Sequence, residues 1–248
     1  MAKNNPGDIL TCDWNPVIGC ERYSAGCVRC WYLDGIFPWQ QRLGNIPAGI
    51  SRNEHHVFAK RLSEESLKPK NGIVGVVQHG DLFWDRVPDV TIDRVLSIVD
   101  SVAIAKRRTP KYILWTKRAG RMADILERRY PAGLPDYLAV AVSVENQATA
   151  DERLPHLNRI RGTRIIMLEP LLGPVDLSRH LPVEWVVIGS ETGPDARPLD
   201  PKWVAGIRDA VKARGIPLFI KQLGTSHKVS VREHDGMEWN EFPEGFQK

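Results

Sequence analysis

Cysteine is scarce in this chain, with four in 248 residues. That is too few for a disulfide framework, and a chain of this length buries a core without such staples. Long apolar runs are missing too, which excludes a bilayer-spanning helix, and the first residues do not read as a signal peptide. Charge of one sign is not in large excess: 34 Lys and Arg against 30 Asp and Glu leave +4 and a pI near 8.9. With 42% hydrophobic and 26% charged residues, the chain is neither disordered nor membranous. One globular domain, or one domain with a small appendage, is expected in a reducing cytoplasm.

Three of the four cysteines nevertheless crowd together. Cys20, Cys27 and Cys30 follow a C-x6-C-x2-C spacing on a Gly-containing loop. Thiolates this close converge on one metal centre, and a Cys-x2-Cys pair brings both sulfurs to one side. A structural zinc takes four closed ligands. An iron-sulfur cluster held by three cysteines instead keeps one iron free for a small molecule. Zinc stays open if Cys12 or His79 supplies a fourth ligand, as does a reading with no metal.

Basic residues cluster in Lys106-Arg107-Arg108, Lys111, Lys117-Arg118, Arg121 and Arg128-Arg129. Together they suit a polyanion such as nucleic acid or nucleotide, while any single cluster reads more readily as a solvated helix face. Short continuous apolar runs predict buried parallel strands over 73–78, 112–116, 137–143, 164–168, 185–188 and 217–220. Amphipathic stretches predict helices over 91–106, 119–129, 146–158 and 201–214, with Thr91 and Asp200 as caps, Pro201 at the first helical position and Gly215 closing the last helix. This βαβα rhythm predicts an α/β fold: a partial or closed parallel (β/α) barrel of about six to seven units, with a doubly wound open sheet as the alternative.

On a barrel the ligand side lies at the carboxyl ends of the strands. The residues there are His79-Gly80-Asp81 with Asp85, Trp115-Thr116-Lys117-Arg118, Ser143-Val144-Glu145-Asn146, Glu169-Pro170, Gly189-Ser190-Glu191-Thr192-Gly193 and Lys221-Gln222. Asn146, Thr192 and Asp85 read equally well as caps or turn residues. The succession as a whole reads as the rim of one pocket.

The pieces Trp14-Asn15-Pro16, Gly19-Cys20, Ser24-Ala25-Gly26-Cys27, Gly80-Asp81-Leu82-Phe83, Leu114-Trp115-Thr116-Lys117-Arg118, Val142-Ser143-Val144-Glu145-Asn146, Glu169-Pro170-Leu171-Leu172-Gly173-Pro174, Ile188-Gly189-Ser190-Glu191-Thr192-Gly193-Pro194, Ala196-Arg197-Pro198 and Phe219-Ile220-Lys221-Gln222 run in order through most of the chain. In these pieces the chain resembles a phage and bacterial family of three-Cys-motif proteins similar to radical S-adenosylmethionine (SAM) enzymes. The first cysteine gap of six is wider than the familiar three, and Trp31 stands where Tyr or Phe is usual. Neither departure alters the three sulfur ligands.

The resemblance implies a 4Fe-4S cluster on Cys20, Cys27 and Cys30, with SAM chelating the fourth iron and giving a 5'-deoxyadenosyl radical on reduction. It further implies that Trp31 packs beside SAM, that Gly80 and Asp81 meet its amino group, that Ser143 and Asn146 bond the ribose, and that Gly189 and Ser190 approach the adenine. Thr116, Lys117, Glu145, Glu169, Glu191, Lys221 and Gln222 are left for substrate and for the SAM carboxylate. The implied activity is isomerisation of a modified thymine base or nucleotide in phage DNA hypermodification, in the cytoplasm of the host cell, with a flavodoxin- or ferredoxin-like reductant as partner and no membrane. A photoproduct-lyase-like repair enzyme and a zinc-stabilised nucleic-acid-binding protein are the alternatives.

The barrel is expected over 1–224, with an insertion at 31–71 whose Phe37, Trp39, Arg42, Arg52, His55, His56 and Lys68-Pro69-Lys70 suit base stacking and phosphate neutralisation or, equally, loop packing and surface solvation. A tail over 225–248, with Trp239, Phe242 and Phe246, is expected to pack over the barrel mouth or end.

Overall fold

Six apolar runs and one unanticipated short segment form a single parallel sheet in the computed structural model, which describes residues 9–68, 70–106, 110–193, 195–225 and 232–246. The strands are β1 (Cys12–Trp14), β2 (Ile73–Val76), β3 (Lys111–Thr116), β4 (Leu138–Ser143), β5 (Thr163–Leu168), β6 (Trp185–Gly189) and β7 (Leu218–Gln222). They lie in chain order, all parallel, as a seven-stranded sheet curled into a half-barrel with β1 and β7 at its edges. A doubly wound sheet reverses its strand order at a switch point. No reversal occurs here, so the alternative topology is set aside. β1 escapes sequence reading because Cys-Asp-Trp carries too short an apolar pattern; pairing of Cys12 with Val74 and Trp14 with Val76 makes it a strand.

Helices α1 (Asp89–Ala105), α2 (Ala119–Arg129), α3 (Gln147–Leu157) and α4 (Pro201–Lys212) follow β2, β3, β4 and β6. Asp200 caps α4 by accepting the Lys202 N–H at 2.9 Å, with Pro201 in the first turn as expected. Thr91 is not a cap. Pro88, extended at φ −62° and ψ 143°, starts α1 earlier, and Asp89 in its first turn favours the positive end of the helix dipole. Among the described residues no helix is long and apolar enough to cross a membrane.

Alternate residues of each strand feed two layers. Tyr112, Leu114, Val140, Val142, Ile166, Ile188 and Ile220 pack outward with the helices. Ile113, Ala139, Ala141, Ile165, Trp185, Val187 and Phe219 face the inside of the curl. Phe242 and Phe246 of the tail close the amino ends of the strands: their rings stand 5.2 and 6.1 Å from Trp185, whose Nε1 donates to the Glu241 carbonyl at 2.9 Å. Burying each such ring contributes about 1.5–3 kcal/mol. The tail is thus a floor at the end opposite the mouth, while Trp239 packs against the outer layer.

The insertion packs Tyr32, Leu33, Phe37 and Ile46 into a small core against Ile18. A two-stranded ribbon, Val17–Ile18 against His56–Val57, ties it to the barrel. Phe37 is therefore a packing residue, edge-on to Tyr32 at 6.0 Å, and of the aromatics expected to stack on bases Trp39 remains exposed. Pro69 of that expected basic surface lies outside the described residues.

Candidate functional site

The inner face of the half-barrel is apolar below and polar above. Over the floor, a cavity of about 690 Å³ opens at the carboxyl ends of the strands, within the size range of small-molecule sites. Its wall includes Cys20, Cys27, Cys30, Trp31, Gly80, Asp81, Thr116, Lys117, Ser143, Glu169, Ser190, Glu191, Lys221 and Gln222. Fourteen of the seventeen residues expected at the site therefore meet in one cavity. Glu145, Asn146 and Gly189 do not line it.

The cysteine loop reaches the cavity by a glycine-to-glycine contact. Gly19 and Gly80 pair as a parallel bridge, and a Cβ on Gly80 would fall 2.6 Å from the Gly19 carbonyl oxygen. Gly19, at φ +111°, also sits against the Glu54 carbonyl, where no side chain fits. Gly80 thus docks the loop carrying Cys20 onto the exit of β2.

Three carboxylates expected to meet ligand brace this loop instead. Asp81 accepts from Thr116 Oγ1 at 2.8 Å, from the N–H groups of Phe83 and Lys117 at 3.0 and 3.3 Å, and from Arg118 Nη1 at 3.0 Å. These donors occupy the acceptor capacity of one carboxylate, so the expected contact to the SAM ammonium has no free acceptor there. The same Arg118 Nη1 lies 3.9 Å from Sγ of Cys20.

Glu145 is fully buried and accepts from Ser24 Oγ at 2.7 Å and Arg153 Nη1 at 3.0 Å, with Lys117 Nζ at 3.2 Å. Burial pushes its pKa up, but Lys117, Arg153 and the Ser24 hydroxyl outweigh burial and hold it below the usual carboxylate range. Glu191 binds Arg197 through Nε at 2.9 Å and Nη2 at 2.5 Å, and Arg197 Nη2 reaches the Ala25 carbonyl at 2.8 Å. Burial again raises the pKa of Glu191, and Arg197 with Arg29 reverses the sign, so it too is lowered. Glu145 and Glu191 are positioning residues in this arrangement.

Asn146 is likewise spoken for. Its side chain accepts the Thr149 N–H at 3.1 Å and completes a capping box at the start of α3, so the helix takes the oxygen expected for a ribose. Gly189 contributes closeness rather than a cavity surface: a Cβ there would fall 2.9 Å from the Glu169 carboxylate. That room lets Glu169 meet Lys221 Nζ and Gln222 Nε2, each at 2.8 Å. Gln222 also donates to the Ser190 carbonyl at 3.0 Å, and Ser190 Oγ donates to Gly224 at 2.7 Å. Thr192 lines the cavity.

Among the described residues, members of the basic clusters are engaged by carboxylates and carbonyls of the fold. Arg118 pairs with Asp81, Arg121 and Arg128 with Asp89, and Arg129 with Asp100. Lys111 donates to the Asp136 carbonyl. Arg107 and Arg108 lie outside the described residues.

The bracing cations Arg153 and Arg197, the Ser24 hydroxyl and Asp13, which pairs with the rim residue His79, were not expected at the site. His79 Nε2 lies 3.7 Å from Asp13 Oδ2 on the cavity wall, and its ring stacks on Tyr32 at 5.5 Å. Burial lowers the His79 pKa, with Asp13 opposing and Arg61 assisting. Arg153 left one legible sign: it interrupts the apolar stripe Ala150, Leu154, Leu157 of α3, a place a cation takes only beside a buried anion.

The donor set fits a cysteine-held cluster. All three thiols are free and share the cavity wall. Leu33 N–H points at Sγ of Cys30 at 3.5 Å, and Ser24 Oγ lies 3.9 Å from Sγ of Cys27. Burial, with Asp81 adding, pushes the Cys20 thiol up to about 12, and burial raises Cys30. Bound cations reverse that by taking the thiolate form. Among the described residues no group of three or more His, Cys, Asp or Glu side chains is gathered to hold a single metal ion. Cys12 Sγ points instead to the Asn71 carbonyl at 3.8 Å, and His79 faces Asp13.

A sequence model of the family described as a protein of unknown function (DUF5131) matches residues 9–243. No curated protein and no solved structure matches the chain.

Proposed function

The chain belongs to the DUF5131 family, and we propose that it is a radical SAM enzyme acting on an unactivated carbon of a modified thymine base or nucleotide. The observation that carries this reading is the meeting of three free thiols, Cys20, Cys27 and Cys30, with the polar strand ends of a parallel half-barrel in one cavity. Cys20, Cys27 and Cys30 would hold a 4Fe-4S cluster. When bound, the cluster and SAM supply one-electron cleavage of a sulfonium and, through it, hydrogen-atom abstraction that acid-base groups do not achieve.

The protein's own part is placement. Asp81 through Arg118, Glu145 through Ser24, and Glu191 through Arg197 fix the loop at three points. The three cysteines of a zinc site converge on one ion, whereas each cysteine of a cluster serves its own iron. Lys221 and Gln222, joined to Glu169, present a cation and an amide to the cavity for anionic or polar ligand groups. Water is kept from below by the Trp185, Phe219, Phe242 and Phe246 floor.

The substrate class rests on the resemblance, supported by aromatic Trp31, 52% exposed at the rim, and by Arg29 beside it on the cavity wall. Isomerisation of an amino acid-substituted thymine needs a substituent moved onto an inert carbon, which hydrogen abstraction permits. A target in duplex DNA must be flipped out or single-stranded to enter.

Anaerobic reconstitution with iron and sulfide, followed by electron paramagnetic resonance with and without SAM, tests the reading. A 4Fe-4S signal that SAM perturbs and that Cys27→Ala abolishes is expected. Stoichiometric zinc and no cluster overturns it, and 5'-deoxyadenosine formed without any dependence on nucleotide or DNA overturns the substrate class.

A further inference from the structure

Four carboxylates reach the cavity wall: Asp13, Asp81, Glu169 and Glu191. Three are matched by permanent cations of the fold. Asp81 pairs with Arg118 at 3.0 Å, Glu169 with Lys221 at 2.8 Å, and Glu191 with Arg197 at 2.5 Å and Arg29 at 3.5 Å. Asp13 has no lysine or arginine at ion-pair distance among the described residues; its neighbours are an amide and an imidazole.

The fold turns this carboxylate inward and leaves it open. Cys12 and Trp14 of β1 pack with the outer, helix-facing layer, so strand alternation points Asp13 between them to the inner face. Its Oδ2 accepts from Asn15 Nδ2 at 2.5 Å, and Oδ1 takes no hydrogen bond from the described residues. His79 Nε2, 3.7 Å from Oδ2, stands beyond hydrogen-bond length. The Asp13 side chain is 45% exposed, so its unused acceptor positions are within reach of a ligand. The adjoining wall is aromatic: the His79 ring stacks on Tyr32 at 5.5 Å and meets Trp31 edge-on at 6.0 Å, and all three line the cavity. An unmatched carboxylate beside aromatic rings suits an organic cation, the carboxylate taking its N–H groups and the rings the carbons that carry them.

We propose that Asp13 is the ammonium-binding residue of the cavity, taking the protonated primary amine of a bound ligand. Asp81, held by Arg118 and three further donors, has no acceptor to spare for such a group. The role falls to the carboxylate at the exit of β1. Two ligands of the proposed reaction carry this chemistry, the amino acid part of SAM and an amino-substituted thymine, and the assignment rests on that reading of the cavity.

Isothermal titration calorimetry of the reconstituted full chain tests the site and separates the two sources. One arm compares SAM with 5'-methylthioadenosine, which lacks the amino acid part; the other compares 5-aminomethyl-2'-deoxyuridine with thymidine, which lacks the amine. Asp13→Asn keeps the side-chain shape and an acceptor for Asn15 but removes the charge. It should weaken an amine ligand at least about tenfold, the loss typical of a charge-assisted hydrogen bond, and leave the amine-free ligand of that arm unchanged. Each arm that responds identifies a source of the ammonium. An unaltered thermal midpoint checks that the variant folds, and the preference of the unaltered protein for an amine ligand over its amine-free counterpart needs no variant. Asp13→Asn that binds both amine ligands as the unaltered protein does, or that weakens amine and amine-free ligands alike, overturns the site, as does an unaltered protein that prefers neither amine. If that happens while SAM still perturbs the cluster signal, the site alone fails. A response to 5-aminomethyl-2'-deoxyuridine in a chain that assembles no cluster upholds the site and removes the radical reading.

Discussion

A Cβ placed on Gly26 falls 2.6 Å from Oε1 of Glu145, so the cysteine loop lies directly on a fully buried carboxylate at the exit of β4. The carboxylate is not free to give way, since Arg153, Lys117 and Ser24 fix it. Gly26→Ala is expected to push the loop off its seat, at a cost of about 1–3 kcal/mol for overpacking. Thermal unfolding should show a folded, less stable protein, and iron bound per chain after reconstitution should fall. Unchanged iron content would mean the loop tolerates displacement from Glu145.

Glu145→Gln leaves Arg153 buried without its anion. Breaking a buried pair on one side costs about 3–5 kcal/mol, which urea denaturation measures as a lower midpoint at unchanged slope. Replacing both partners, as Glu145→Gln with Arg153→Met, should recover most of the loss, because an apolar side chain suits the surrounding stripe of α3.

Acid sensitivity follows from the same groups with a definite sign. Glu145 and Glu191 are held below the ordinary value of 4.5 in the folded protein. A carboxylate depressed in this way stabilises the fold above its unfolded pKa, and that stabilisation is lost as pH falls through the folded value. Stability measured by urea should therefore drop as pH falls below about 4.5. The drop should be shallower in Glu145→Gln, whose side chain does not titrate.

The floor separates folding from the site. Phe246→Ala removes a ring packed against Trp185 at the far end of the strands and should cost about 3–5 kcal/mol. Its reconstituted cluster signal should match that of the unaltered protein at temperatures where both are folded. Loss of the signal without loss of folding would show that the floor acts on the cavity.

Much of the fold was legible because it rests on local patterns. Runs such as Tyr112–Thr116 and Leu138–Ser143 are too apolar for a surface strand, and α2 emerged with its expected bounds. What failed was short or ambiguous: three-residue β1, and Thr91, which lost the cap of α1 to a proline whose geometry starts the helix earlier. Polar strand exits correctly marked a cavity, but residue type alone did not distinguish a side chain that faces it from one that props up its wall.

The sequence by itself determined the parallel α/β rhythm, the cysteine spacing and the side of the sheet on which the polar residues collect, since each depends on residues a few positions apart. Only the tertiary structure decided that Glu145, Glu191 and Asp81 brace the loop, that Asn146 caps a helix, and that Asp13 is left without a matched cation among the described residues. The reason is distance along the chain. Ser24 meets Glu145 across 121 residues and Arg197 meets Ala25 across 172, and whether a buried charge serves the ligand or the fold depends on partners that only the closed packing brings within reach.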